Sequence, residues 1–490
     1  MIYVFLSIKL FENNVYDEIL NHYWVENIMK VCIIVDGYNA GRQFPVVLNE
    51  RGISSIHVQS TEEVIGTFSK FEEHNYITNI IYRGNIEKTL DEIKNIPDID
   101  IVAVIAASEP GVCLADLLSE KLCLATTNGT VLSKARRNKF DMVEAIKKAN
   151  LATPLYLSSN SLEEINHWID QNTSFPVVVK PLESAATDGV FVCHNPSDVE
   201  VAFKSIILTD NVFGTKNQFV LVESFLYGDE YVINSVSCNG KHKVNDIWIY
   251  RKQEVEGRKI YDREELLDFD GAKQEILVTF AHQVLDAVGI KYGASHVEII
   301  LTEKGPAIVE VGARISGATN IASSQECVGH DAVNLTVDAY VDPEAFMRSY
   351  KEVNRVNKYG MVIDLASFQE GMVVGENFTK ELSALPSLKK MVIKKSPGDM
   401  LKKTCDLMSS PAKFHLAHES KEQLMLDYEK IQEVGRTSGF VLKLDKTLSF
   451  RLSDSKSILF AHRGESSAIT GLTNSMGVGE MAEGLGKQPS

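Results

Sequence analysis

Residues 177–189 read Val-Val-Val-Lys-Pro-Leu-Glu-Ser-Ala-Ala-Thr-Asp-Gly, and residues 190–193 continue Val-Phe-Val-Cys. The two apolar runs fit short buried strands joined by a loop of small and hydroxyl residues. Such a loop lets backbone N–H groups approach a polyanion closely, and Lys180, at the end of the first strand, adds a fixed positive charge. The combination suits the phosphates of a nucleotide. Glycine and serine also build ordinary hairpin turns, so the loop alone does not decide, and the rest of the chain has to.

Further along, two carboxylates interrupt apolar runs: Glu298 in His-Val-Glu-Ile-Ile and Glu310 in Ile-Val-Glu-Val-Gly-Ala-Arg. The short segment 302–306 between them predicts adjacent antiparallel strands, with the carboxylates facing each other across a hairpin. Carboxylates in apolar strands need a cation beside them. Mg²⁺ fits, because it takes hard oxygen ligands and keeps phosphate oxygens in its shell. His296 shares a strand face with Glu298, either as a site residue or as a hydrogen-bonded core histidine. Arg314 follows Glu310 by four positions, where a guanidinium can fork onto phosphate or carboxylate oxygens.

These blocks resemble the ATP-grasp superfamily of carboxylate-amine ligases, and within it the L-amino acid (dipeptide) ligases, over residues 31–426. The resemblance implies an α/β and α+β multidomain chain: an ATP-grasp fold with an N-terminal parallel-sheet pre-grasp domain and a small β-rich C-terminal domain. It also implies ATP and Mg²⁺ as cofactors, with Mn²⁺ as a substitute. By position, Lys139 and Lys180 resemble the two phosphate-contacting lysines, the loop from Ser184 to Gly189, with Ala185 and Thr187, resembles the flap over the phosphates, and Glu183 just before it is a further cofactor-binding candidate. Glu223, Phe225 and Leu226 resemble the hinge that reads adenine, and Glu230 the ribose contact. Glu298 and Glu310 resemble the metal-bridging pair, and Arg314 the arginine that stabilises the transferring phosphoryl group; Arg314, Lys180 and His296 are the candidate catalytic set. One position departs: many members carry an asparagine metal ligand two residues after the second glutamate, and here Gly312 has no side chain to coordinate.

Composition is consistent with this reading. A chain of 490 residues with 50 basic and 66 acidic side chains has a formal charge of −16, which argues against a nucleic-acid or anionic-membrane surface. The seven cysteines, at 32, 113, 123, 193, 238, 327 and 405, show no Cys-x-x-Cys spacing and read as reduced packing residues of a cytoplasmic protein. No apolar run approaches the roughly 20 residues of a membrane span.

The expected organisation is an N-terminal extension (1–28), a pre-grasp α/β domain (29–130) and an ATP-grasp domain (131–345) whose lid covers about 155–222. A β-rich domain (346–436) and a C-terminal extension (437–490), partly disordered by its Gly and Ser content, complete it. Within the first domain, Ser108 and Glu109 follow the fourth predicted strand and are candidates to hold the carboxylate substrate, or to cap a helix before Pro110. The charged stretch 252–265 lacks apolar periodicity and reads as a loop closing over the amine substrate or an inert surface loop. His330 and Asp331 read as the start of a helix, and Trp248 and Tyr250 as core or wall residues.

The function this implies is amide formation through an acyl phosphate, because a carboxylate must be given a leaving group before an amine can displace it. Small-molecule carboxylate and amine substrates, amino acids by resemblance, are the partners, with homodimerisation through the N-terminal domain also implied by resemblance alone. The alternatives are an ATP-grasp carboxylase that uses bicarbonate and a non-catalytic nucleotide-binding protein.

Overall fold

The structure, a computed structural model, describes residues 28–63, 72–185, 188–255, 258–317, 321–374, 377–404, 409–437 and 441–442. The expected extensions at 1–28 and 437–490 lie outside the described residues apart from Ile28, Thr437, Val441 and Leu442.

Strands β1 (Met29–Val35), β2 (Ser54–Gln59), β3 (Asn79–Ile81) and β4 (Ile99–Ala106) form a parallel sheet in the order β3-β2-β1-β4. The unbroken apolar run of β1 is buried because both faces of the sheet are covered. Helices Ile86–Lys94 and Val112–Lys121 cover one face through Leu90, Ile93, Leu114 and Leu118. Helix Phe44–Glu50 and the distant helix Ala332–Val341 cover the other, and the latter also packs on Val236 and Ala294 of the large sheet described below. Arg51 pairs with Asp338 across this junction.

A second, antiparallel sheet contains β5 (Tyr156–Ser159), β6 (Val177–Pro181), β7 (Phe191–Cys193) and β8 (Val220–Ser224), in the order β5-β8-β6-β7. Helices Leu162–Asn172 and Pro196–Ile206 back it through Ile165, Ile169, Val199 and Ala202.

The remaining strands are β9 (Asp229–Cys238), β10 (Lys241–Val255), β11 (Arg258–Leu266), β12 (Gly293–Thr302), β13 (Gly305–Gly312), β14 (Tyr359–Asp364), β15 (Gly371–Val373), β16 (Leu388–Ile393), β17 (Met400–Leu401), β18 (Ala412–His418) and β19 (Val441–Leu442). Eight of them form one sheet in the order β13-β12-β9-β10-β11-β14-β18-β16, and β17-β15-β19 form a small separate one. Three strands beyond residue 346 therefore extend the same sheet that carries the two-glutamate hairpin. Helix Lys421–Thr437 docks on β11 where Tyr428 Oη and Gln432 Nε2 donate to buried Asp262 at 2.8 and 2.9 Å.

The stretch 252–265 is not a loop. β10 continues to Val255 and β11 pairs with it from Arg258, so all but residues 256–257, which are not described, belong to the sheet. Its charges are cross-strand partners, which is why no apolar period shows: Lys252 Nζ lies 2.6 Å from Glu230, and Tyr261 Oη donates to Glu230 at 3.0 Å. A second correction concerns cysteine. Cys32, Cys193, Cys238 and Cys327 are buried, but Cys123, just beyond helix Val112–Lys121, is exposed. Cys405 lies outside the described residues.

Strand alternation sorts the large sheet into two faces. Tyr231, Ile233, Ile247, Ile249, Val297, Ile299 and Val311 pack on Leu277, Phe280 and Val284 of helix Ala272–Ala287 and on Met142, Val143 and Ile146 of helix Lys139–Lys148. Truncating one of these side chains to alanine costs about 2–5 kcal/mol. The intervening positions, among them Glu230, Asn234, Asp246, Glu264, His296 and Glu298, share the opposite face by register.

Candidate active site

Asn138 starts helix Lys139–Lys148 by accepting from the N–H groups of Phe140 and Asp141 at 3.0 and 3.3 Å. Lys139 is thereby fixed as the first helical residue, where a cation opposes the helix dipole. Three contacts hold it there: Nζ lies 2.8 Å from Glu310 Oε1, Nζ donates to Ser184 O at 3.1 Å, and its backbone N–H donates to Leu182 O at 2.9 Å. A helix N-terminus bearing a lysine beside a small-residue loop is an arrangement able to hold an anion.

Lys180 ends its strand buried and ion-paired, with Nζ 2.8 Å from Glu223 Oε2. Glu223, expected at the adenine edge, thus holds the lysine. The loop beyond Lys180 is tied at its base. Ser184 Oγ and the Val212 N–H donate to Asp188 Oδ2 at 2.6 and 2.9 Å. Gly189 has φ +68° and packs so that an added Cβ would sit 2.8 Å from Pro181, which makes glycine a requirement there. Glu183 accepts from Asn138 Nδ2 at 3.3 Å, Ala185 accepts the Asp188 N–H, and Thr187 lies outside the described residues. Phe225 and Leu226 follow β8 half-buried, with the Phe225 ring edge-on to Tyr227 at 4.9 Å. Glu230, on β9, is taken by Lys252 and Tyr261.

Glu298 and Glu310 are register partners across the β12–β13 hairpin. His296 Nε2 lies 3.1 Å from Glu298 Oε1, and its Nδ1 lies 2.7 Å from Asn234 Oδ1. Burial acts to raise the Glu298 pKa, but the His296 hydrogen bond and charge and the charges of Lys252 and Arg314 outweigh it and hold the carboxyl below its ordinary range. Among the described residues no group of three or more His, Cys, Asp and Glu side chains has metal-site geometry, so a metal here would draw on this carboxylate pair together with non-protein oxygens.

Arg314 Nε is 2.9 Å from Glu109 Oε2, an ion-pair contact lacking hydrogen-bond alignment. Glu109 therefore reaches the site as a partner of Arg314. Ser108 occupies the cap position of the following helical turn without a side-chain cap bond. Asp331 caps helix Ala332–Val341 by accepting the Asn334 N–H at 2.8 Å, and His330 Nε2 lies 3.1 Å from Asn245 O. One chain of contacts links the loop after Lys180, Lys139, Glu310, its register partner Glu298, and His296.

Of what lies beyond His296, the sequence singled out Trp248, as a core or wall residue, and not Asn234, Asp246 or Glu264. Asn234 Nδ2 donates to Asp246 Oδ1 at 2.6 Å, and so does Trp248 Nε1 at 2.6 Å. Asp246 and Trp248 line a solvent-open cleft with Glu264, Ser316, helix Ile321–Val328 and His415. A period-two pattern through residues 262–266 could have flagged Glu264 once β11 was read as a strand. Nothing local could have joined His415 to it.

Comparison with known proteins agrees with this geometry. The ATP-grasp domain family matches residues 173–322. Dapdiamide A synthase of Enterobacter agglomerans is 30% identical over 415 residues, covering 83% of this chain and 96% of that protein. Among solved structures, L-amino acid ligase from Bacillus licheniformis superimposes with a TM-score of 0.65 at 17% identity over 83% of this chain and 97% of that one. Carboxyaminoimidazole ribonucleotide synthase from Aspergillus clavatus, complexed with ATP, gives 0.61 at 13% identity over 84% and 99%. The chain belongs to the ATP-grasp family of carboxylate-amine ligases. Its reaction is ATP-dependent formation of a C–N bond. No helix among the described residues is long and apolar enough to cross a membrane.

Proposed function

We propose that this enzyme joins two amino acids into a dipeptide-like amide through an acyl-phosphate intermediate, releasing ADP and phosphate. The observation that carries the reading is the Lys139–Glu310 contact beside the Glu298 register pair, which sets a phosphate-type anion site against two hard oxygen donors. The relative named for dapdiamide A synthesis and the fold neighbour named as an L-amino acid ligase support the choice of substrates.

In this reading Lys139 and Lys180 hold phosphate oxygens of ATP, and Arg314 faces the transferring phosphoryl group, so that positive charge is in place before negative charge spreads in the transition state. Two carboxylates match the usual protein share of a Mg²⁺ shell, with phosphate oxygens and water as the remainder. Bound there by Glu298 and Glu310, Mg²⁺ would supply charge neutralisation on the phosphates. The segment containing Ser184 and Gly189 covers the reacting atoms and excludes water, because hydrolysis of the acyl phosphate would waste ATP. The amine then attacks the acyl carbon, and phosphate leaves.

The enzyme is expected to be cytoplasmic, and pairing of two copies through the parallel-sheet domain is testable by sedimentation. The function is tested by incubating the protein with ATP, Mg²⁺ and a mixture of the common amino acids, following ADP release and identifying products by mass spectrometry. Amino-acid-dependent ADP release with a matching condensed product supports the reading. ADP release that needs bicarbonate instead of an amine would replace it with a carboxylase.

A further inference from the structure

The cleft beyond His296 holds two carboxylates in different states. Asp246 accepts from Asn234, Trp248 and Asn245, so its charge is already spoken for. Glu264 lines the same cleft, and no hydrogen bond to it is found among the described residues. By register it sits on the site face of the sheet: it faces Tyr250 on β10, which faces Glu230 on β9, while Glu298 projects from the same side of β12. The hydrogen-bonded series Glu298–His296–Asn234–Asp246 runs from the two-glutamate hairpin to the wall of this cleft. A carboxylate without a donor, in a cleft that this series ties to the two-glutamate hairpin, calls for a ligand that brings a donor and a positive charge.

The groups around Glu264 supply that charge only in part. Lys413 on β18 is the cation that acts most on Glu264, and its ammonium is committed to Asp364 on β14 at 2.8 Å. Asp246 adds negative charge, and His296 acts from β12. Burial beside Lys413 and Lys390 pushes His415 down to about 3, so the imidazole is neutral. Tyr250 is held protonated, first by burial and then by the charges of Glu264 and Glu298. Helix Ile321–Val328 contributes Ser323, Ser324 and Cys327, whose thiol burial raises to about 12. The cleft is therefore acidic on balance and suited to a primary ammonium group.

We propose that this cleft seats the amine substrate, and that Glu264 receives its ammonium group and accepts the proton that must leave before nitrogen can attack. The inference rests on the ligase reading above. The step balances: R–NH₃⁺ gives one proton to the Glu264 carboxylate, and the free amine forms the C–N bond as the acyl C–O bond to phosphate breaks. The second nitrogen proton leaves with the departing phosphate, and Glu264 returns its proton to solvent. Burial, partly offset by Lys413, raises the Glu264 carboxyl to about 7, near the value that suits a base at neutral pH.

The test compares two nucleophiles in wild type and Glu264→Gln. Hydroxylamine is uncharged at neutral pH and needs no base, so it traps the acyl phosphate as a hydroxamate, whereas an amino acid arrives as an ammonium ion. With ATP, Mg²⁺ and a mixture of the common amino acids, Glu264→Gln should form hydroxamate at near the wild-type rate. Its amide formation should fall by about 10²–10⁴-fold, the usual contribution of a general base. The residual amide rate should climb with pH as free amine becomes available. Unchanged amide formation, or equal loss of both products, overturns the inference. If the glutamine variant does not fold, Glu264→Asp takes its place, and its amide rate must fall more than its hydroxamate rate. Absence of hydroxamate from the wild type would remove the ligase reading, and this inference with it.

Discussion

Glu109, just beyond the end of β4 in the parallel sheet, places a carboxylate oxygen 2.9 Å from Nε of Arg314, just beyond β13 of the large sheet. Two sheets far apart in sequence thus meet on one guanidinium. Arg314 is useful to a transferring phosphoryl group only if its charge is already aimed, and Glu109 is the side chain that aims it. Glu109→Gln keeps the shape and removes the charge, which weakens the hold by about 1–3 kcal/mol. The expected result is a kcat lower by about 10–100-fold with the KM for ATP little changed. Steady-state kinetics with ATP varied would show it, and an unchanged kcat would remove Glu109 from the machinery.

Gly312 has its own place in that arrangement. A Cβ at this position would come within 3.2 Å of both Arg314 Cζ and Glu109 Oε2, tighter than ordinary packing. An asparagine here would not simply add a metal ligand, because its side chain enters the space the ion pair fills. Gly312→Asn should lower kcat by about tenfold or more through displacement of the guanidinium. The apparent affinity for Mg²⁺, from titration of ADP release against metal, should not improve. A tighter metal response at full kcat would show that the pair yields easily.

Much of this site is written locally in the chain. Lys180 announces itself at a strand end before small residues, and Glu298 and Glu310 stand out as charges inside apolar strands. The same reasoning fails for 252–265, because on the polar face of β10 and β11 the alternating residues are Glu, Tyr, Lys and Arg, and cross-strand charge pairing replaces the apolar signal. At Glu223, whose position suggests a nucleotide contact, nothing in the sequence signals the carboxylate's ion pair with Lys180. The pairing of Glu109 with Arg314, and the joint lining of the cleft by Glu264 and His415, depend on how strands distant in sequence are ordered in space, and no local pattern carries that.

The Lys180–Glu223 pair separates structural from chemical roles. Both side chains are almost fully buried, at 5% and 8% exposure, so removing one partner strands the other charge. Lys180→Met should destabilise the protein by about 3–5 kcal/mol. Adding Glu223→Gln neutralises the stranded carboxylate, and the double variant should recover most of that loss. Neither variant should release ADP in the presence of amino acids, since the phosphate-facing charge is gone from both. Thermal denaturation and ADP release measured side by side would check this, and an active double variant would assign Lys180 a purely structural part.

At the end of β1, Asp36 makes stability depend on pH in a direction opposite to most acids. It is buried and accepts from the Ser60 backbone N–H and hydroxyl at 2.8 and 2.6 Å, but burial dominates and raises its carboxyl to about 6. The folded state therefore binds this proton more tightly than the unfolded chain does. The stabilisation is complete below the ordinary aspartate range and is lost as pH rises through about 6. The corresponding free energy is on the order of 3 kcal/mol. His57, on the neighbouring strand, acts at the other end of the scale: burial lowers it to about 4, so its contribution is present above its ordinary range and disappears as pH falls through 4. Asp36→Asn cannot ionise and should gain stability relative to wild type steadily as pH rises from about 4 to about 6, with the difference level above that. Denaturant melts of both proteins at closely spaced pH values would measure this, and a constant difference across the range would show that Asp36 is already ionised in the folded state.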